Sequence, residues 1–249
     1  MRSSTNGGTD LIADEPRSTV DSQFATNWML QTFWNAVLAF ALIAGTVVAG
    51  PPPAAAYPGS ETQAKFDSLP IKGRAPKTGY KRSQFGDAWS DDVSVANGHN
   101  GCDTRNDILS VQLADVTIKP NTNGCVVLSG MLNDPYTGTT VEFQRGPESS
   151  DDVQIDHIVA LSDAWQTGAQ ELDEVTRRNF ANDPVNLQAT LGWVNHQKGD
   201  SDAASWLPPD AAYRCTYVSR IVDVKATYGL WVTQAERDAI AHVLSSDCG

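Results

Sequence analysis

Apolar and polar positions divide the chain into stretches with different periods. From Ser22 to Ser60 there is no Asp, Glu, Lys, Arg or His, and Phe33 to Ala49 is close to continuously apolar. An apolar core running into PPPAAA reads as an export leader, with Ala54-Ala55-Ala56 before Tyr57 as the cleavage point. The competing reading is an uncleaved anchor, because the run approaches the roughly 18 to 20 residues that span a bilayer. Arg2 and Arg17 are outnumbered by Asp10, Asp14, Glu15 and Asp21, a poorly basic start for a leader. Either reading of residues 1–56 puts the rest of the chain outside the cytoplasm.

Residues 57–83 show no sustained period and are expected to be an extended, loop-rich entry. Periodicity then returns. Thr104-Arg105-Asn106-Asp107 has the shape of a capping box, and Ile108, Leu109, Gln112 and Leu113 follow at helical spacing, which predicts a helix over 104–114. Short β-rich runs follow at 116–118, 125–128 and 139–143, the last two separated by a turn-forming Asn133 to Gly138. Val153 to Ile158 reads as a buried strand. Trp165, Gly168, Ala169, Leu172 and Val175 recur at helical intervals that Gly168 is placed to split, and Asn182-Asp183-Pro184 stops them. Val218, Ile221 and Val222 precede Gly229, a C-cap candidate, and Thr233-x-x-Glu236 opens a last helix carrying Ile240, Val243 and Leu244. With no internal repeat, residues 84–249 are expected to form one α+β domain.

Composition sharpens this outline. The 249 residues carry 18 Lys and Arg against 30 Asp and Glu, a net charge of −12. Removing 1–56 takes two basic and four acidic residues and leaves −10, which excludes a general nucleic-acid coat but not an enzyme with a local cationic track. Lys72, Arg74, Lys77, Lys81 and Arg82 form the one strongly basic stretch, either a solvated flank or a phosphate-contacting strip. Cys102, Cys125, Cys215 and Cys248 all follow the apolar segment, as disulfides in an oxidising compartment would. Four cysteines allow three pairings, of which Cys102 with Cys125 and Cys215 with Cys248 is favoured because each closes a local loop. There is no Cys-x-x-Cys, which argues against a zinc knuckle.

Chemistry concentrates in VQIDHIVALSDAW, residues 153–165, where Asp156 and His157 sit side by side in an apolar run. Burying such a pair is costly unless the carboxylate meets a cation and the imidazole a hydrogen-bond partner. Downstream, DPVNLQAT offers Asn186 in a β-prone run, and LGWVNHQKGD places Asn195 and Lys198 three residues apart on one helical face. Strand with Asp-His, extended run with Asn, helix with Asn-x-x-Lys: in this order the chain resembles the HNH, or ββα-metal, endonucleases. It is most similar to the secreted bacterial branch related to the C-terminal nuclease domains of modification-dependent restriction enzymes. CDTRNDIL, DPYTG, FANDPVNLQA, NHQKGDSDAASWLPP and YRCTYV extend the resemblance over most of residues 80–248.

The resemblance implies a single domain built around a ββα-metal finger, with flanking helices and a short β-meander. It implies Asp156 and Asn195 as metal ligands, with His196 competing for the helix position, and His157 as general base. Asn186 braces the loop and orients the imidazole, and Lys198 faces the phosphate. Hard oxygen ligands point to Mg²⁺ or Mn²⁺, and His196 as ligand brings in Zn²⁺. Arg105, Lys81 and Arg82 are candidates for substrate phosphates, although a backbone or Asp107 contact is an equal reading for Arg105. The implied activity is metal-dependent hydrolysis of DNA, with RNA a second candidate substrate, by a secreted monomer with little sequence preference. An unperturbed histidine pKa of about 6.5 predicts a loss of rate between pH 8 and 5 as His157 gains its proton. The alternative is an exported, catalytically inactive binding module that keeps the scaffold. Arg177 and Arg178 are read as a solvated helix face, His99 as a loop residue, His242 as a helix-surface one, and Trp89, Trp165, Trp193 and Trp206 as core anchors, with base stacking the other reading.

Overall fold

A computed structural model describes residues 59–147 and 149–248; the expected leader or anchor lies outside them. The described chain is mixed α+β, with small antiparallel sheets among helices. Helix α1 (Ser60–Ser68) lies inside the stretch expected to be loop, and a 3-10 turn follows at Arg82–Phe85. Helix α2 (Thr104–Gln112) leads into β1 (Leu113–Ile118), β2 (Val127–Asp134) and β3 (Thr139–Gln144). These pair in that order as an antiparallel meander. Then come β4 (Val153–His157), α3 (Leu161–Gln166), α4 (Glu174–Asn182), β5 (Leu187–Leu191), α5 (Gly192–Lys198), α6 (Ala211–Thr227) and α7 (Gln234–Ser246).

Local chemistry explains most boundaries. Asp103, one residue before the expected cap, accepts from Asn106 N and starts α2, which frees Thr104 to donate to Ser90 O. Gly168, at φ 130°, breaks the expected long helix into α3 and α4 as its spacing suggested. Thr233 caps α7 by accepting from Glu236 N. The reciprocal half of that capping box is missing, because the Glu236 carboxylate goes to Lys225 instead.

Strands β4 and β5 pair antiparallel, Asp156 opposite Gln188 and His157 opposite Leu187, and α5 follows β5 directly. Alternation gives this pair two different faces. Val153, Ile155, Leu187 and Ala189 join Ile108, Leu109, Leu132 and Phe143 in a core under the meander. A second core of Phe85, Tyr136, Trp165, Phe180, Tyr217 and Val218 ties the helices together. The Cys102–Cys125 and Cys215–Cys248 disulfides, with Cα atoms 5.1 Å apart in each, are the local pairing expected from sequence.

Candidate active site

His157 is the last residue of β4 and is 7% exposed. Its Nε2 lies 2.9 Å from Ala181 O. A carbonyl can only accept, so Nε2 carries the proton and the Nδ1 lone pair is the basic site of the ring. Trp89 stacks on the imidazole, ring centroids 5.8 Å apart and planes within 9°. Burial, with repulsion from Arg82, lowers the histidine pKa to about 3. Burial therefore favours the neutral imidazole and moves the acid-side loss of rate expected of His157 to lower pH.

Asn186 sits in a 3-10 turn, Pro184–Asn186, rather than in the strand expected for it. Its Oδ1 accepts from Val159 N at 2.8 Å, while its Nδ2 donates to Phe180 O at 3.3 Å. One fully buried amide thus pins the segment leaving His157 to the helix end that supplies Ala181 O. Its contacts run to backbone, with none to the imidazole that it was expected to orient.

Asp156 is 4% exposed. Lys198 Nζ donates to its Oδ1 at 2.9 Å and to His157 O at 2.8 Å, and Tyr136 OH donates to its Oδ2 at 2.7 Å. Burial pushes this carboxyl up, against the pull of the Lys198 ammonium and the Tyr136 hydroxyl. Lys198 is fully buried, so its ammonium neutralises Asp156 and does not face a phosphate. The reason is geometric: Lys198 ends α5 directly behind β4, where no water competes for it. Tyr136 went unnoticed in the sequence, although it lies in the turn quoted as DPYTG.

Asp156 and His157 open into a cavity of about 870 Å³ whose walls also include Asn195, His196, Arg82 and Arg105. Six of the expected site residues therefore converge, whereas Lys81, Asn186 and Lys198 are not among the cavity walls. Trp89, Gln154, Asp151 and Asp200 complete much of the lining. Asn195 Nδ2 donates to Gln154 Oε1 at 2.9 Å, and Gln154 Nε2 lies 3.2 Å from His196 Nε2. An amide nitrogen can only donate, so that His196 nitrogen accepts. Arg105 Nη2 donates to Ser150 O and Val153 O, both at 2.9 Å, which settles its contact as backbone and not Asp107.

The rest of the basic stretch is largely consumed inside the protein. Arg74 pairs with Asp163 and Asp202, Lys77 with Asp200, and Lys72 covers the Trp231 ring. Lys81 and Arg82 have no ion pair among the described residues. Arg177, expected on a solvated face, is 7% exposed and donates to Gln84 O and Leu172 O. Arg178 pairs with Asp92, while His99 and His242 are exposed as expected.

Among the described residues no group of three or more His, Cys, Asp or Glu could hold a metal ion. A lighter donor set is present. Each Asp156 oxygen takes one hydrogen bond where a carboxylate has about four acceptor positions in all. Asn195 Oδ1 accepts from no donor among the described residues. Carboxylate and amide oxygens are the donor type that suits Mg²⁺ or Mn²⁺, and both residues line the same cavity.

A family model described as "GmrSD restriction endonucleases, C-terminal domain" matches residues 103–243, a span holding Asp156, His157, Asn195 and Lys198. An uncharacterized secreted protein of the fungus Arthroderma benhamiae is 34% identical over 211 residues, covering 82% of this chain and 96% of that protein. No solved structure matches. The two disulfides fit the extracellular location stated for that relative. With the match spanning more than half its length, the chain belongs to the family of GmrSD restriction endonuclease C-terminal domains.

Proposed function

We propose that this protein is an exported, metal-dependent endonuclease that hydrolyses phosphodiester bonds of DNA, and of RNA as a second substrate, with little sequence preference. The observation that carries the reading is the imidazole of His157, locked by Ala181 O with its basic nitrogen unprotonated, in one cavity with Asp156, Asn195 and two arginines. In the reaction a water oxygen attacks phosphorus, its proton passes to His157 Nδ1, and the bond to the leaving oxygen breaks. Arg82 holds the phosphate oxygens from the cavity wall, and Arg105, anchored through Nη2 to Ser150 O and Val153 O, adds its charge. Asn186 and Trp89 keep the imidazole in one orientation, and Lys198 with Tyr136 keeps Asp156 in place.

Strands β4 and β5 with α5 serve here as a ββα-metal finger, in which Asp156 and Asn195 would hold Mg²⁺ or Mn²⁺. When bound, the ion supplies positive charge for the phosphate and the leaving oxygen. Asn195 is preferred over His196 because its carbonyl oxygen is unused while the His196 nitrogen accepts from Gln154.

A second reading, the inactive binding module, has one observation in its favour: Lys198 already neutralises Asp156 without any metal. Plasmid and RNA cleavage by the exported protein separates the two. The nuclease cuts with Mg²⁺ or Mn²⁺, stops in EDTA, and is silent as His157→Ala. Oligonucleotide binding with no cleavage under any divalent ion establishes the module instead.

A further inference from the structure

Aromatic side chains on the elements around the cavity are packed, with one exception. Trp165 is 8% exposed, Trp89 lies on His157, and Trp206 meets the Tyr136 and Tyr217 rings edge-on. Trp193 is 58% exposed, although it stands on α5, the helix that carries Asn195 and His196 into the cavity. It is thus not the core anchor that its residue type suggests.

Residues three apart on a helix are surface neighbours, with Cβ atoms about 5 to 6 Å apart. Trp193 is not itself among the residues that line the cavity, but it stands one helical turn from His196, which is. The other large exposed apolar side chains, Ile71, Val111, Val175 and Val185, belong to other segments. Within α5 the exposed neighbours of Trp193 are His196 and Gln197, which are polar. A solitary aromatic among polar groups lacks the apolar surround of a protein interface core. It does match the sequence-tolerant platform on which nucleic-acid bases stack, since every base has a π-face. The cavity wall adds Arg82, which has no ion pair among the described residues, as a cation for a backbone phosphate.

We infer that Trp193 is a stacking platform for one unpaired base of the nucleic acid whose phosphate enters the cavity, so that single-stranded segments are bound in preference to base-free ones. The inference rests on the nuclease reading for the substrate class, but its test does not depend on turnover. In EDTA, binding of a labelled single-stranded oligonucleotide is compared with that of the same backbone built from abasic nucleotides. The parent should favour the base-bearing strand roughly tenfold. Trp193→Ala should remove that preference with abasic affinity unchanged, and Trp193→Phe should keep part of it. A parent without the preference, or a Trp193→Ala protein that retains it, overturns the platform. So does a dimer, seen by sedimentation, that Trp193→Ala dissolves, since the indole then belongs to a second copy. Cleavage assays with Mg²⁺ test the catalytic reading separately: stacking intact with no cleavage refutes catalysis alone.

Discussion

At the residue scale, the proposed function turns on how one imidazole and one carboxylate tolerate burial. His157→Ala should lower cleavage by roughly 10²- to 10⁴-fold, the usual worth of a general base, with an unchanged circular-dichroism spectrum. Because burial holds the His157 pKa at about 3, the rate should not fall on the acid side until well below pH 5. A limb centred near 6.5 would show that the ring is less buried than its 7% exposure indicates. The same shift has a thermodynamic sign. The native state favours the neutral ring, so its contribution to stability is whole above about pH 6.5. It declines by about 1.4 kcal/mol per pH unit toward pH 3. Urea unfolding at pH 7, 5 and 4 should show this extra slope in the parent and not in His157→Asn. Tyr136→Phe leaves the buried Asp156 Oδ2 without its donor and should cost about 1.5 to 3 kcal/mol in the same assay.

At the element scale, caps and breaks were legible where a short stretch dictates them. Gly168 split its helix, Thr233 started α7, and the runs at 116–118 and 139–143 appeared within β1 and β3, whereas β2 begins only at Val127 and continues into the Asn133–Asp134 expected to turn. The cap of α2 fell on Asp103 and not Thr104, because two adjacent oxygen-bearing residues compete and Ser90 O was available to only one of them. Illegible at this scale was the buried group joining α3, α6 and α7. Lys225 Nζ meets Glu236 Oε2 at 2.7 Å, Asp163 Oδ2 at 3.3 Å and Trp231 O at 3.1 Å. Lys225→Met strands the buried Glu236 carboxylate, leaves Asp163 to Arg74 alone, and should destabilise by about 3 to 5 kcal/mol, measurable by denaturant midpoint. Nuclease activity in the surviving folded fraction should persist, since none of these groups borders the cavity.

At the scale of the whole molecule, the β4–β5 pair is held between two cores. One face lies on the meander, while the end bearing Asp156 and His157 meets α5 and the helical core. The two disulfides staple opposite parts of this assembly, closing loops of 23 and 33 residues. Each should contribute about 3 to 4 kcal/mol by loop-closure arithmetic. Reduction should therefore lower the melting temperature markedly, and Cys215→Ala with Cys248→Ala should reproduce the α6–α7 part of that loss.

The sequence by itself pointed to the order strand, strand, helix, to the Gly168 break and the Thr233 cap, and to Asp156, His157, Asn195 and His196 as neighbours, and it favoured the disulfide pairing that the structure shows. These depend on periodicity, on spacing within a few residues, or on a pattern carried whole by a family. Only the tertiary structure decided which partner each polar group received. Lys198 bonds Asp156 across 42 positions, Tyr136 reaches it across 20, and His157 finds Ala181 O across 24. Nothing local distinguishes a lysine that will neutralise a buried carboxylate from one that will face solvent. That choice belongs to packing, which removes water from one side of α5 and leaves Trp193 in it on the other.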